Sequence, residues 1–456
     1  MDASRSDSDP GGPTYRGGIR SPGTAARPGR LALGDGSFTL AVDGSPPTTI
    51  AYRDLSTIAV EHEVGLLVVG TGPAAESWLL DRFGPALGPL AGMLRERRLR
   101  QLLGDALVDV PPAPLELVEY ARPGGTGTGV ALLVLHGWGL VVAPVDERSP
   151  WIRVRRSRIG AVTARPEVGG VRVDDATGTP VVDLLRLGPA AVRHRAAIEG
   201  LRDGAAIDAG RVVETLVPDL PHALRAQAAV ALVDGSPAGP AELGDGWPAL
   251  EASVLAEPTF AASYAALVAR AGGDAAPRWL ATAPVDPGSA TARAWFLVGL
   301  PGNLAALELV SGGAHATYLY RVVPRATRGA ADPTPDAFAA CVAGVSDALV
   351  DARFLREPMS LPAARLASPE ARRYRLALAA IPSLAEARRR FVARIVHADA
   401  ATWAAALDDL IAWHDACRDE DAEWPGRVRQ EAAVAAAELG DDPGASPVSG
   451  DATPER

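Results

Sequence analysis

Short runs that alternate apolar and polar residues follow one another from Leu31 to Val69, separated by Gly, Pro and Asp. Such alternation is typical of strands with one buried face. It predicts strands over 37–42, 48–52, 55–60 and 64–69. The stretch 85–103 carries Leu87, Leu90 and Leu94 at three-to-four spacing among arginines. This spacing predicts an amphipathic helix that follows the strands.

The same order then recurs. Strand-like runs are found over 130–135, 140–143, 151–154, 159–163 and 171–173, and a helix is predicted over 189–201. Two landmarks repeat, since Ile58 matches Ile159 at a distance of 101 residues and Gly84 matches Gly188 at 104. Proline follows both glycines, and proline is favoured at the first position of a helix. The spacing predicts a tandem duplication.

The remainder of the chain predicts two further regions. A third α+β region over 209–324 ends in a β-meander with strands over 294–300, 304–310 and 315–323. Turn residues separate these strands and favour antiparallel hairpins. They are Pro301-Gly302-Asn303 and Ser311-Gly312-Gly313. A helical bundle is predicted over 334–438, with helix starts signalled by Thr334, Ser368, Ser383 and Asp399.

Both termini are poor in apolar residues. Residues 1–30 and 440–456 are rich in Ser, Pro, Gly and charged residues, which predicts disordered tails. The first of them lacks the apolar segment of a signal peptide or an anchor. The uncharged span 123–145 is broken by His136-Gly137-Trp138-Gly139 and predicts two strands and a turn, so no transmembrane segment is expected.

The two repeated units carry a family resemblance. In each unit a strand is followed by a Gly-Pro step at the start of a helix. The strands contain Ile58-Ala59-Val60 and Ile159-Gly160-Ala161-Val162, and the steps are Gly84-Pro85 and Gly188-Pro189. This order resembles the pleckstrin-homology-like (PH-like) barrels of uncharacterised bacterial proteins. The resemblance implies PH-like domains over 31–110 and 111–208 and a scaffold that binds protein or lipid. The expected fold class is α+β: tandem PH-like barrels each closed by a helix, a β-meander region and a C-terminal helical bundle.

Amino-acid composition and net charge exclude several classes of protein function. The formal net charge of -10 argues against a general nucleic-acid binder. The chain contains no lysine, which excludes a P-loop and a pyridoxal phosphate Schiff base. Its cysteines, Cys341 and Cys417, are too few for an iron–sulfur cluster or a disulfide framework, and reduced thiols fit the cytoplasm. No cofactor or metal is expected.

Two loops resemble parts of enzyme sites. Gly70-Thr71-Gly72 after a strand resembles a dinucleotide loop, but the acidic residue expected about 20 residues further on is missing. The run 130–138, which ends in His136-Gly137, resembles the oxyanion loop of α/β-hydrolases, yet the chain has no G-x-S-x-G elbow. A β-turn and a hairpin are the favoured interpretations.

The remaining candidate residues are histidines and carboxylates. Glu61 and Glu63 flank His62 on a predicted strand, so both carboxylates lie on the same face. This pattern is more typical of a solvent-facing strand side than of a general acid–base pair. His414 shares its helix face with Leu407, Leu410 and Ile411, which favours a core histidine over a metal ligand.

The strongest local positive charge follows Trp151. Arg153, Arg155, Arg156 and Arg158 follow there, and they alternate with Ile152 and Val154 as in an edge strand or a half-buried strand. The segment is a candidate binding site for an anionic head group or an acidic partner.

The leading hypothesis is a non-enzymatic cytoplasmic binding or scaffold protein with an unidentified protein partner. Two alternatives stay open. The first is a hydrolase whose Ser, His and Asp are scattered along the chain, since a triad is defined by geometry. The second is a peripheral protein that binds anionic lipid at a membrane surface through Arg153–Arg158.

Overall fold

The computed structural model describes residues 13–20, 24–61, 66–71, 76–106, 116–125, 127–145, 151–309, 315–322, 334–351, 357–366, 368, 371–397 and 400–416. This part of the chain is a mixed α+β structure with three antiparallel sheets, which confirms the predicted class. The chain divides into two compact units. One comprises Met1–Arg202 and Ala364–Ala380, and the other comprises Asp203–Ala363 and Ile381–Arg456.

The first sheet has seven strands in two meanders. They are β1 (Thr14–Arg20), β2 (Arg27–Leu33), β3 (Ser37–Val42), β4 (Thr48–Ala51), β5 (Leu55–Glu61), β6 (Leu66–Thr71) and β7 (Glu76–Asp81). Their order, β4-β3-β2-β1-β7-β6-β5, arises because β1 pairs with β7 and so joins the meanders. Helix α1 (Leu87–Asp105) follows and adds Leu90 and Leu94 to a core that includes Ile19, Leu31 and Phe38.

The second sheet repeats this architecture. Its strands are β8 (Glu116–Ala121), β9 (Thr128–His136), β10 (Gly139–Pro144), β11 (Ile152–Arg155), β12 (Ile159–Arg165), β13 (Gly170–Asp175) and β14 (Pro180–Leu185). The order β11-β10-β9-β8-β14-β13-β12 is that of the first sheet, and helix α2 (Ala190–Leu216) follows. His136-Gly137-Trp138-Gly139 forms the predicted hairpin between β9 and β10.

Two predicted boundaries in this unit are wrong. Residues 14–20 and 27–30 of the expected tail 1–30 belong to strands β1 and β2, because Ile19 and Leu31 supply buried side chains and β1 completes the sheet between β2 and β7. The boundary at 208 falls inside α2. Buried positions of this helix continue at helical spacing far beyond the predicted end at 201. They are His194, Ile198, Ala205, Asp208 and Val212.

The second unit begins with helices that the sequence analysis did not predict. They are α3 (His222–Ala231), α4 (Pro240–Leu243), α5 (Trp247–Val254) and α6 (Pro258–Arg270). A five-stranded sheet follows in sequential order, made of β15 (Arg278–Pro284), β16 (Ala292–Leu300), β17 (Asn303–Leu309), β18 (His315–Arg321) and β19 (Phe391–His397). Strands β16, β17 and β18 are the predicted meander.

Helices cover both faces of this sheet. Phe296 faces Trp247 on α5 and Phe260 and Tyr264 on α6, with its ring 4.3 Å from that of Tyr264. The neighbouring Trp295 faces the other way, where its Nε1 donates to Ser346 Oγ at 3.1 Å. Ser346 belongs to α7 (Pro335–Asp351). The alternation of β16 therefore separates two helical layers.

The C-terminal region is not the predicted bundle of helices alone. Its helices are α8 (Glu357–Ser360), α9 (Ala363–Leu366), α10 (Arg372–Ala380), α11 (Pro382–Arg390) and α12 (Ala400–Ala416). Strand β19 lies among them and pairs with β18, because Val392, Ala393 and Ile395 complete the sheet core. Thr334 caps α7 as predicted, whereas Ser383 does not cap α11 and donates to Asp351 at 2.5 Å. The predicted Asp399 start and the tail 440–456 lie outside the described residues.

Candidate functional site

The outer face of the first sheet carries two arginines directly opposite each other. Arg16 on β1 pairs with Arg30 on β2 in the antiparallel register. Tyr15 and Leu31, their neighbours along the strands, contribute to the core, so alternation places both arginines on the face away from it. Both are exposed. Side chains at directly opposed positions lie about 5 Å apart at Cβ, so the two cationic side chains emerge side by side.

These arginines line a groove of about 560 Å³ across β1, β2 and β3. The lining includes Arg16, Gly17, Gly29, Arg30, Ala41 and Asp43. Gly17 and Gly29 oppose each other, and a Cβ at Gly17 would lie 2.4 Å from the Phe83 ring beneath it. Both glycines therefore lie on the core face. On the outer face the next opposed pair is Gly18–Pro28, where neither residue has a long side chain, so the groove beside the two arginines is shallow.

The groove is cationic although the chain is acidic. In the described part of the chain, neither Arg16 nor Arg30 makes a side-chain hydrogen bond or an ion pair. Arg27, close to Gly44 at one end, donates to Ser45 Oγ at 3.2 Å, and Asp43 is the acidic residue of the lining. Like charges at opposed strand positions destabilise a sheet. An anion bound between the two guanidinium groups would remove that repulsion.

The predicted basic segment of the second sheet is built differently. Arg155 is 8% exposed and Arg156 is 3% exposed. The Arg156 guanidinium lies 5.2 Å from the centre of the Trp138 ring, while Arg158 is exposed and Trp151 and Arg153 are half-buried. A 3-10 turn over 156–158 breaks the strand alternation and directs Arg156 inwards. Of the four arginines in the predicted segment, the structure thus buries Arg155 and Arg156, half-buries Arg153 and exposes Arg158.

The two sheets can be compared position by position. The hairpin pairs Leu33–Phe38 and Leu135–Leu140 occupy the same place in the first and second sheet. Counting along the strands from them, Arg30 corresponds to Leu132. Arg16, which opposes Arg30, likewise corresponds to Leu117, which opposes Leu132. Leu132 is fully buried.

The contrast extends over the part of the outer face formed by β9 and β10. In the second sheet this part is apolar and has no exposed surface at Leu132, Val134, Val141 and Ala143, whereas Leu117 on β8 is 48% exposed and Val130 at the start of β9 is 46% exposed. In the first sheet the residues that correspond to the four buried ones are exposed or half-buried, and they are Arg30, Ala32, Thr39 and Ala41. Strand β9 is thus buried on both faces over 131–134, whereas β2 is buried on one.

Polar groups on the outer face of the second sheet are paired. Arg172 Nε and Nη2 donate to the two carboxylate oxygens of Asp183 at 2.8 and 2.9 Å. This bidentate hydrogen bond lowers the pKa of the Asp183 carboxyl below its usual value. Arg186 and Arg193 also form ion pairs, with Glu119 at 3.0 Å and Glu116 at 2.8 Å. Within the described residues, the Arg16–Arg30 pair differs from these in lacking a carboxylate partner.

The sequence motifs that resemble enzyme sites have structural roles. Strands β6 and β7 are antiparallel neighbours, so Gly70 lies in a meander and not at a strand-to-helix junction. His136 is 6% exposed, and its Nδ1 accepts the backbone N–H of Trp138 at 3.4 Å within the hairpin. The side chains of His62, Glu63 and His414 lie outside the described residues.

Two further titratable groups lie in the second unit, where Cys341 is buried and Asp408 is exposed. Burial raises the pKa of the Cys341 thiol to about 11, which makes its reactive thiolate scarce. Asp408 accepts both Nε and Nη2 of Arg270, at 2.7 and 2.8 Å, which lowers the pKa of its carboxyl. Among the described residues, no group of three His, Cys, Asp or Glu is arranged to hold a metal ion.

Comparisons with known proteins assign no family. No family model and no curated protein matches the chain. Among solved structures, the C-terminal domain of an unknown protein from Leishmania infantum matches with 15% identity and a TM-score of 0.17. The match covers 19% of this chain and 82% of that one. In the described part of the chain, no helix is both long and apolar enough to cross a membrane.

Proposed function

We propose that this protein is a non-catalytic binding or scaffold protein of the cytoplasm, and that the outer face of its first sheet receives a partner protein. One observation carries the proposal. Two faces that correspond position by position differ in character: one is apolar and buried at its centre, and the other is open and carries two opposed arginines. A sheet face that is needed only for folding has no use for facing like charges, which cost stability.

The proposal includes a PH-like architecture for both sheets. Support comes from the four-strand and three-strand meanders joined through β1–β7 and β8–β14, with a helix after each sheet. Each helix also sends an arginine to the fifth strand of its sheet. Arg95 Nη2 donates to the Ile58 carbonyl at 2.8 Å, and Arg202 Nη1 donates to the Gly160 carbonyl at 3.2 Å. The modules then differ in surface rather than in framework.

Site-specific photo-crosslinking in cells tests the proposal. The photoreactive residue p-benzoylphenylalanine replaces Thr49, which is exposed on β4 of the first sheet and leaves both arginines intact. The matched control carries it in place of Thr177, an exposed residue in the turn between β13 and β14 of the second sheet.

A discrete adduct that forms from position 49 and not from position 177 is the expected result. The adduct should disappear when Arg16→Glu and Arg30→Glu are added, while the thermal unfolding midpoint stays unchanged. Equal adducts from both positions, or none from position 49, would overturn the proposal.

A further inference from the structure

The groove of the first sheet offers two guanidinium groups and few other donors. Strand β2 forms its centre and pairs with β1 on one side and β3 on the other, so its amides serve the ladders, and Pro28 has no N–H. Each guanidinium presents a planar fork of donors that matches one carboxylate in a bidentate fashion. Two such forks, side by side next to the Gly18–Pro28 pair, which has no long side chain, suit two carboxylates on one extended chain.

We propose that this groove binds an acidic, unphosphorylated peptide segment of a partner protein, with one carboxylate on Arg16 and another on Arg30. The inference rests on the proposed function and names the chemistry of the partner. Successive side chains on the same side of an extended peptide are nearly 7 Å apart. That spacing is within reach of two long arginine side chains that start from opposed positions.

Two separated carboxylates fit this groove better than a single phosphoryl group does. Arginine pairs with both kinds of anion, but one class of phosphoryl site adds free backbone amides at a helix N-terminus or in a nest, and the amides of β2 are committed to the sheet. Asp43 in the lining also opposes a single compact dianion more strongly than two separated single charges.

A membrane surface fits the groove less well than a peptide does. Recognition of anionic lipid by charge uses clusters of about four to eight basic residues. The groove has Arg16 and Arg30, with Arg27 nearby held by Ser45, and it contains Asp43. The formal net charge of -10 repels an anionic bilayer as a whole. A short acidic peptide is repelled less by the negative charge of the protein, because it approaches the protein over a much smaller area than a bilayer does.

Fluorescence anisotropy with the full chain tests the inference. The probe is a Glu-Gly-Glu-Gly-Glu-Gly peptide with an uncharged dye, and the control peptide has Gln at every Glu position. The test variant combines Arg16→Gln with Arg30→Gln. The matched control combines Arg186→Gln with Arg193→Gln, which removes two exposed arginines, one just after β14 and one on α2. Inorganic phosphate, a phosphoserine peptide and phosphatidylserine vesicles serve as competitors.

We expect saturable binding of the Glu peptide and none of the Gln peptide. The Arg16/Arg30 variant should bind about tenfold more weakly, and the Arg186/Arg193 variant should bind like the unaltered chain. Binding should weaken as salt rises from about 0.05 M to about 0.3 M, because exposed charges are screened. Lys at both positions should restore part of the loss, since it keeps the charge and lacks the fork.

Three outcomes would overturn the inference. The first is equal affinity of the two double variants for the Glu peptide. The second is displacement of the probe by phosphate or by the phosphoserine peptide at a lower concentration than by unlabelled Glu peptide, and the third is that the protein binds the vesicles and not the peptide. A crosslink from position 49 that survives Arg16→Gln with Arg30→Gln would keep the proposed function and reject the acidic peptide. If no crosslink forms from position 49 while Arg16 and Arg30 are intact, the proposed function and the acidic peptide are both rejected.

Discussion

The outer faces of the two seven-stranded sheets show how one framework can carry opposite surfaces. Across β8 and β9 the opposed pair is Leu117–Leu132, in which Leu132 is fully buried and Leu117 is half exposed, so both residues are apolar and one is covered. Across β1 and β2 the corresponding pair is Arg16–Arg30, and both are exposed. The inward faces are apolar in both sheets, because each must fill a core with its helix. The framework therefore fixes the inner face and leaves the outer face free to differ.

The largest effect is expected from a charge placed on the buried face. Leu132→Arg would put an uncompensated cation where the second sheet has no exposed surface. We expect a loss of about 3–5 kcal/mol in the free energy of unfolding. Urea denaturation measures this loss. The matched control is Arg30→Leu at the corresponding exposed position, which should change stability by less than about 0.5 kcal/mol. Similar losses in the two variants would contradict the comparison.

The next effect concerns the basic segment of the second sheet. Arg156 is 3% exposed and lies against Trp138, so Arg156→Ala should lower the free energy of unfolding by about 2 kcal/mol. Arg158→Ala, two residues further on at an exposed position, should cost less than about 0.5 kcal/mol. Thermal unfolding of both variants separates these expectations. An equal and small effect would show that Arg156 is not a packing residue.

A smaller effect follows from pH. Arg172 lowers the pKa of the Asp183 carboxyl in the folded state, so the ionised carboxylate stabilises the fold above its unfolded pKa. This contribution is lost as the pH falls through the folded-state pKa, which lies below the unfolded value of about 3.9. Asp183→Asn should therefore lower the urea midpoint at neutral pH and leave it nearly unchanged at about pH 2. A difference that persists at acid pH would indicate lost packing instead.

The smallest effect has the opposite sign. Arg30→Glu replaces two opposed like charges with an opposite pair, so it should raise the free energy of unfolding by about 0.5 kcal/mol. Urea denaturation of this variant against Arg30→Gln separates the new attraction from the lost repulsion. A destabilised Arg30→Glu variant would mean that Arg30 has a structural partner.

Sequence patterns predicted the strands with clear apolar runs and missed those without them. Strands β3 to β6 and the meander β16 to β18 were predicted because their apolar residues either alternate with polar ones or form continuous runs between turn residues. Strands β1 and β2 were missed, since Gly17, Gly18, Pro28 and Gly29 have low strand propensity and only tertiary pairing makes them strands. The groove could not be predicted once its strands were assigned to a tail.

One signal for the contrast between the sheets was present in the sequence. The run 130–135 is apolar without interruption, which is typical of a strand buried on both faces. Residues 27–33 alternate only weakly and carry two arginines. The burial of Arg156 had no such signal, because the inward turn depends on a 3-10 segment and on Trp138 from a neighbouring hairpin.

The accessibility of the two corresponding positions tests the central claim most directly. Arg30→Cys and Leu132→Cys are made in a chain with Cys417→Ser, where Cys341 is buried and reacts slowly. Thiol labelling under native conditions should modify position 30 at the rate of an exposed thiol. Position 132 should react more than about tenfold more slowly, because labelling there requires local unfolding. Equal labelling rates at the two positions would contradict the account of one open and one buried face.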